Sequence, residues 1–115
     1  VEIDPRLYNF LRDLYGQRFV GSLTYLVTDI DSVVTRDQGF IEVSGVVKAK
    51  NDKTYACYIN PKEFFCGCMD NFVRKTVCKH IIAVLIEAFR KDQISKFEFT
   101  NLLAWRKKYA VHNRM

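Results

Sequence analysis

Long apolar runs are missing from this sequence. No hydrophobic stretch in its 115 residues approaches the roughly 18–20 residues that a membrane-crossing helix needs. A charged n-region leading into an apolar h-region and a small-residue cleavage site is missing too, which argues against secretion. There is no internal repeat, no low-complexity linker and no glycine-rich phosphate loop. Ser22, Ser32, Ser44 and Ser95 lie in no nucleophile motif. Asp29 and Asp31 stand close together but lack the ligand spacing of a calcium loop. The length fits neither a (β/α)₈ barrel nor a doubly wound sheet comfortably. These absences predict a chain that is not an enzyme, takes no small-molecule substrate and enters no membrane. The expected location is the cytoplasm or the nucleoid, or the nucleus in a eukaryotic cell.

Apolar residues make up 49% of the chain and aromatics 14%, which excludes a disordered polymer. The net charge of +5 is unevenly spread, since residues 1–57 carry seven bases against eight acids and residues 58–115 carry eleven against five. A basic half attracts polyanions, of which nucleic acid is the commonest.

The hydrophobic pattern predicts an α+β fold. Asp4-Pro5 reads as an N-cap followed by proline at the first helical position. Leu7, Phe10, Leu11 and Leu14 recur at helical spacing up to Gly16, a natural stop, so a helix is expected over 5–15. Phe19, Val20, Leu23, Leu26, Val27 and Ile30 continue that spacing and predict a second helix over 17–28. The first two helices would thus form an arm over 5–30. The β-branched residues there make a strand the competing assignment. A short strand is expected at 32–35. Ile41, Val43, Val47 and Ala49 alternate about Gly45, and Tyr55, Cys57 and Ile59 alternate on the return, which predicts a β-hairpin over 40–59. From His80 onward, Ile81, Ile82, Val84, Leu85, Ala88 and Phe89 mark an amphipathic helix with Arg90-Lys91 at its C-terminal end. A last helix is expected within 98–112. All of these elements are read as one domain, 1–115.

Four cysteines are present: Cys57, Cys66, Cys68 and Cys78. A disulfide framework is a poor reading. One residue separates Cys66 from Cys68, too little for a strain-free bridge, and this apolar content needs no staples. Metal ligation fits better. Cys66-Gly67-Cys68, nine residues, then Cys78-Lys79-His80 supplies three sulfurs and one imidazole, the tetrahedral donor set of Zn²⁺. An iron–sulfur cluster and metal-free thiols are the competing readings. A straight strand would hold Cys66 and Cys68 about 6.6 Å apart at their α-carbons. The chain is therefore expected to bend at Gly67, where glycine makes a bend cheap. Cys78 and His80 cannot share a helix face. Both reach one ion only if Cys78 sits at the helix cap and His80 in the first turn, where the helix field also favours a thiolate. Cys57 falls in the hairpin's apolar alternation and reads as core. It would approach the metal only if the hairpin bends toward it.

C-x-C followed by C-x-H resembles the ligand pattern of the SWIM zinc finger. The preceding hairpin and the segment CKHIIAVLIEA also resemble that family's β-β-α unit, over roughly residues 40–91. The resemblance implies one structural zinc ion held by Cys66, Cys68, Cys78 and His80, in a module that binds DNA or protein. Members accompany ATPase, transposase and kinase domains and occur among the partners of recombinase paralogues. A short stand-alone chain resembles the recombination-partner type.

A complete S₃N site leaves no open coordination position, so the metal is expected to serve folding rather than catalysis. With His80 committed as a ligand, the one other imidazole is His112, near the C-terminus and without an evident orienting partner. Lys62, Arg74, Lys75 and Lys79 cluster in sequence around the ligands, and Arg106, Lys107, Lys108 and Arg114 could extend the patch. The expected ligand is DNA, gripped mainly through its phosphates, in a recombination or repair assembly. The alternative is a protein-interaction module whose arm, through Phe19, Leu23 and Ile30, packs on a recombinase-like ATPase or on a second copy.

Overall fold

The computed structural model describes residues 3–103 except 36, 38, 50 and 51. Helix α1 (Pro5–Tyr15) starts at Asp4, whose carboxylate accepts the Leu7 N–H at 2.8 Å. It ends at Gly16, which sits at φ +56° and donates its N–H to the Arg12 carbonyl at 2.7 Å. That left-handed residue turns the chain into the short α2 (Gln17–Ser22). Leu7, Leu11, Tyr15 and Phe19 of these helices are buried in the core.

Four strands come next, the two of the hairpin and one on either side: β1 (Leu26–Thr35), β2 (Phe40–Lys48), β3 (Thr54–Ile59) and β4 (Phe64–Cys66). They form one antiparallel sheet in the order β1-β2-β3-β4. Helix α3 (Met69–Arg74) and helix α4 (Lys79–Arg90) come next. A final helix, α5, is described over 96–103. The architecture is the expected α+β core, with N-terminal helices, a hairpin-based sheet and C-terminal helices around the cysteine cluster. No described helix is long and apolar enough to cross a membrane.

The core lies between the sheet and α4. Val43, Val47 and Ile59 point from the sheet toward Ile81, Ile82, Val84 and Leu85. Helix α4 is buried almost all round rather than on one stripe, because α2 packs on it as well as the sheet and Phe99 of α5 meets Phe89 at 5.3 Å between ring centroids. At Gly45 the helix comes so close that a Cβ would stand 3.3 Å from Ile30 Cδ1 and from both Val84 γ-carbons. Glycine is needed there for space.

Three expectations are corrected. The second helix stops at Ser22, and residues 26–30 belong to a strand, so the arm over 5–30 is not wholly helical. β-branched Val27, Thr28, Ile30, Val33, Val34 and Thr35 favour the extended chain. A bulge between Thr28 and Asp31, with Asp29 at φ 53°, explains the misleading period. One extra residue there puts Val27 and Ile30 on the same inner face, three positions apart as in a helix. The short strand at 32–35 is the end of this longer β1. Between Cys68 and Cys78 the structure adds a helix for which the sequence reading named no element, α3 at Met69–Arg74. The last helix begins at 96 rather than 98. Ser95 and Glu98 form a reciprocal capping box there, with the Glu98 N–H donated to Ser95 Oγ at 3.1 Å and the Ser95 N–H to Glu98 Oε1 at 2.8 Å. Its expected continuation over 104–112 lies outside the described residues.

Candidate metal centre

Each ligand is placed by a different local device. Cys66 closes β4 and faces Cys57 across the β3–β4 pair. The chain bends at Gly67, and Cys68 becomes the N-cap of α3, its sulfur accepting the Asn71 N–H at 3.5 Å. Cys78 is the N-cap of α4, and His80 lies in the first turn of that helix. This is the cap-and-first-turn arrangement that the C-x-H spacing requires.

The bend does not use glycine's special freedom. Gly16 and Gly39 are the described glycines at positive φ, and a Cβ on Gly67 would meet Tyr55 Cδ1 at an ordinary 3.9 Å. The expected bend is present, but any small residue can make it.

The donor atoms of Cys66, Cys68, Cys78 and His80 all lie within 4.8 Å of one another, and all four residues are buried. His80 Nδ1 stands 3.6 Å from Cys66 Sγ and 3.8 Å from Cys78 Sγ. A tetrahedral zinc with bonds of about 2.3 Å to sulfur and 2.0 Å to nitrogen needs sulfur–nitrogen edges of about 3.5 Å. The cluster therefore fits a single structural Zn²⁺, with Nδ1 as the imidazole donor. Three thiolates around that ion would leave the centre with a charge of about −1.

The protonation tendencies agree with a site built for a cation. The Cys66 thiol is pushed up, first by its hydrogen bond to Cys57. Cys78 is pushed up by its hydrogen bond to Cys66 and then by burial, and Cys68 mainly by burial. Burial, followed by the Lys79 charge, lowers His80 and keeps its imidazole neutral, as a ligand must be. Crowded buried thiols shed their protons only when a cation takes their place, so metal binding here releases protons.

Supporting groups surround the ligands. Asn71 is buried; its Oδ1 accepts the Cys66 N–H at 3.0 Å and its Nδ2 donates to the Thr76 carbonyl at 2.9 Å. One side chain thus ties both ends of the metal-bearing loop. The His80 ring stacks on Tyr55 at 4.6 Å and is tilted against Tyr25 at 5.0 Å. Cys57 is buried, with its thiol 3.7 Å from the Tyr55 carbonyl. It is core, as expected, and stands outside the four-donor cluster while touching it through Cys66.

The expected nucleic-acid contacts separate in space. Arg74 at the end of α3 and Lys79 at the start of α4 line one cleft beside the metal centre. Lys75, at φ 51°, follows α3 and is exposed. Lys62 is exposed in the β3–β4 turn, whose Pro61 lines a different cleft with Phe97 and Leu102. Arg106, Lys107, Lys108 and Arg114 lie outside the described residues. Sequence reading missed Arg18. Its Nε and Nη2 donate to Asp70 Oδ2 and Oδ1 at 2.8 and 3.0 Å, pinning α3 to α2 across 52 positions of sequence. No local signal marks such a pair.

No protein-family model matches the chain, and no curated protein or solved structure matches it.

Proposed function

We propose that this chain is a SWIM-type structural-zinc module that binds DNA without catalysing a reaction, in a recombination or repair assembly. The observation that carries the proposal is the placement of bases on the segment the metal organises. Arg74 and Lys75 end α3, Lys79 opens α4, and Phe72 stands 75% exposed beside them. Phosphate contacts from such bases give salt-dependent affinity with little sequence choice, and an exposed ring can stack on an unpaired base. The closed S₃N donor set suits folding rather than chemistry. The C-x-C and C-x-H pattern, and the likeness to SWIM fingers that it carries, supply the recombination or repair context.

Fluorescence anisotropy with a labelled DNA 20-mer at about 50 and 200 mM salt tests the proposal. Binding that weakens steeply with salt and disappears on chelation is expected. Absence of binding at the lower salt overturns it.

A second reading, a protein-interaction module, is favoured by Met69, Phe72 and Val73, which form an exposed apolar stripe along α3. It is not favoured by the helical arm, because Phe19 is fully buried and Leu23 and Ile30 pack on this chain's own core. Recovery of a recombinase-like ATPase with the chain, lost on Phe72→Ser and indifferent to DNA, would select this reading.

A further inference from the structure

We propose that the cleft between α2, α3 and the start of α4 is a seat for one phosphodiester group of a nucleic-acid strand, held by Arg18, Arg74 and Lys79. The inference rests on the nucleic-acid reading above and names the place where the strand is gripped.

The cleft has a volume of about 440 Å³ and is lined by Tyr15, Gln17, Arg18, Asp70, Arg74 and Lys79. Three cations meet one carboxylate. Asp70 takes Nε and Nη2 of Arg18 on one side, and its Oδ1 also accepts Arg74 Nη1 at 3.0 Å. The carboxylate thereby orients two planar guanidinium groups. Nη1 of Arg18, and Nε and Nη2 of Arg74, take no part in these contacts, so each fork has a second edge to present. Asp70 is the group most hostile to an anion here, and two cations already compensate it.

Lys79 comes from the other wall. Its Cδ lies 3.7 Å from where a Cβ on Gly21 would be, and its Nζ lies 5.7 Å from the centre of the Tyr25 ring. The stem is laid along α2, and the ring attracts the ammonium by its π face. The zinc centre's charge of about −1 lowers the positive balance but does not cancel it, since the three cations still outweigh Asp70 and the zinc-bound centre together by about one charge. An oriented pair of guanidinium groups with a point-like ammonium opposite matches a tetrahedral anion with several acceptor oxygens. Gln17 adds a neutral amide that can donate to a phosphodiester's ester oxygens, while the Tyr15 hydroxyl in the same lining is already donated to the Leu103 carbonyl.

The cleft is also tied to the metal. Arg74 and Asp70 belong to α3, capped by the ligand Cys68, and Lys79 lies between the ligands Cys78 and His80. The three cations keep this spacing only while the metal loop is closed, so zinc and phosphate binding are coupled.

The test uses the zinc-loaded full chain and the labelled DNA 20-mer, with affinity measured across a range of salt. Arg18 is left intact because it pins α3. Arg74→Gln and Lys79→Gln are the probes, and Lys53→Gln and Lys91→Gln are controls outside the cleft. Each probe is expected to weaken binding several-fold and to reduce the slope of log affinity against log salt by about 0.9, the signature of one lost phosphate contact. The controls should leave the slope unchanged. Near-UV circular dichroism should match the parent for all four, since a damaged fold would lower affinity without this specific change of slope. If the parent binds DNA and both probes keep its slope, the cleft assignment is overturned while the nucleic-acid reading stands. If the parent does not bind DNA, that reading fails first. A phosphoserine peptide bound in preference to DNA, and lost in the same two variants, would give the cleft to a phosphoprotein and overturn the nucleic-acid assignment.

Discussion

The two ends of α4 are held in different ways. From Ile81 to Phe89 the helix is enclosed by the sheet, α2 and α5, and Val43, Val47, Ile59, Phe19 and Phe99 are all fully buried around it. Before Ile81 the chain from Phe64 to His80 buries little of its apolar material. Its buried residues are the four ligands, Asn71 and Val77, while Phe65, Met69, Phe72 and Val73 face solvent. Water exclusion holds the first region. A metal and a few hydrogen bonds hold the second. A surface that displays bases and an aromatic ring cannot also hide them in a core, and a metal centre can order such a segment without burying them.

Metal removal should break the comparison most visibly. Structural zinc in isolated fingers supplies on the order of 10 kcal/mol of apparent binding free energy. After chelation, amide exchange should lose its protection over 64–78 while β1–β3 and the second half of α4 keep theirs. Uniform loss would mean that the two regions are one cooperative unit. Unchanged protection everywhere would mean that the cysteine loop is held without metal.

Leu85→Ala attacks the other region. Leu85 is fully buried on α4, and truncating such a side chain costs about 2–5 kcal/mol. Denaturant unfolding should show that loss at an unchanged affinity for zinc. A fall in zinc affinity as large as the fall in stability would erase the distinction.

Asn71→Ala returns to the metal loop with a smaller effect. It leaves the buried Cys66 N–H and the Thr76 carbonyl without the partners they have now, at about 1–3 kcal/mol. Loss of such support typically costs roughly 10- to 100-fold in metal affinity. Competition with a chromophoric chelator reads the affinity, and a value equal to the parent's would show that Asn71 does not orient the ligands.

How far the sequence could be read follows the same division. Cys66, Cys68, Cys78 and His80 were legible because ligand chemistry allows few spacings, and C-x-H forces a helix to begin between its two ligands. The hairpin and α1 were legible from strict alternation and from the Asp4 cap. The bulge in β1 hid a strand behind a helical period. Helix α3 was hidden because its apolar residues, Met69, Phe72 and Val73, face outward, so they look like loop to any argument from burial. Arg18 and Asp70 meet only through the tertiary fold.

Two glycines carry the smallest effect and the sharpest contrast between the regions. Gly67 lies in the C-x-C bend, which glycine is expected to make cheap; Gly45 lies mid-strand, where glycine is ordinarily a weakness. The structure reverses that order. A methyl group at position 45 would press on Ile30 and Val84 at 3.3 Å, and overpacking of this kind costs about 1 kcal/mol, the low end of its range. Gly67→Ala meets one ring carbon at 3.9 Å and has no left-handed backbone to strain. It should be neutral, or stabilising by roughly 0.4 kcal/mol, because alanine leaves the unfolded chain fewer conformations. Thermal unfolding of the two zinc-loaded variants side by side decides the matter. If Gly67→Ala were the more damaging, the metal loop would be under a backbone constraint, and the account of that region as held by ligands and hydrogen bonds alone would have to be abandoned.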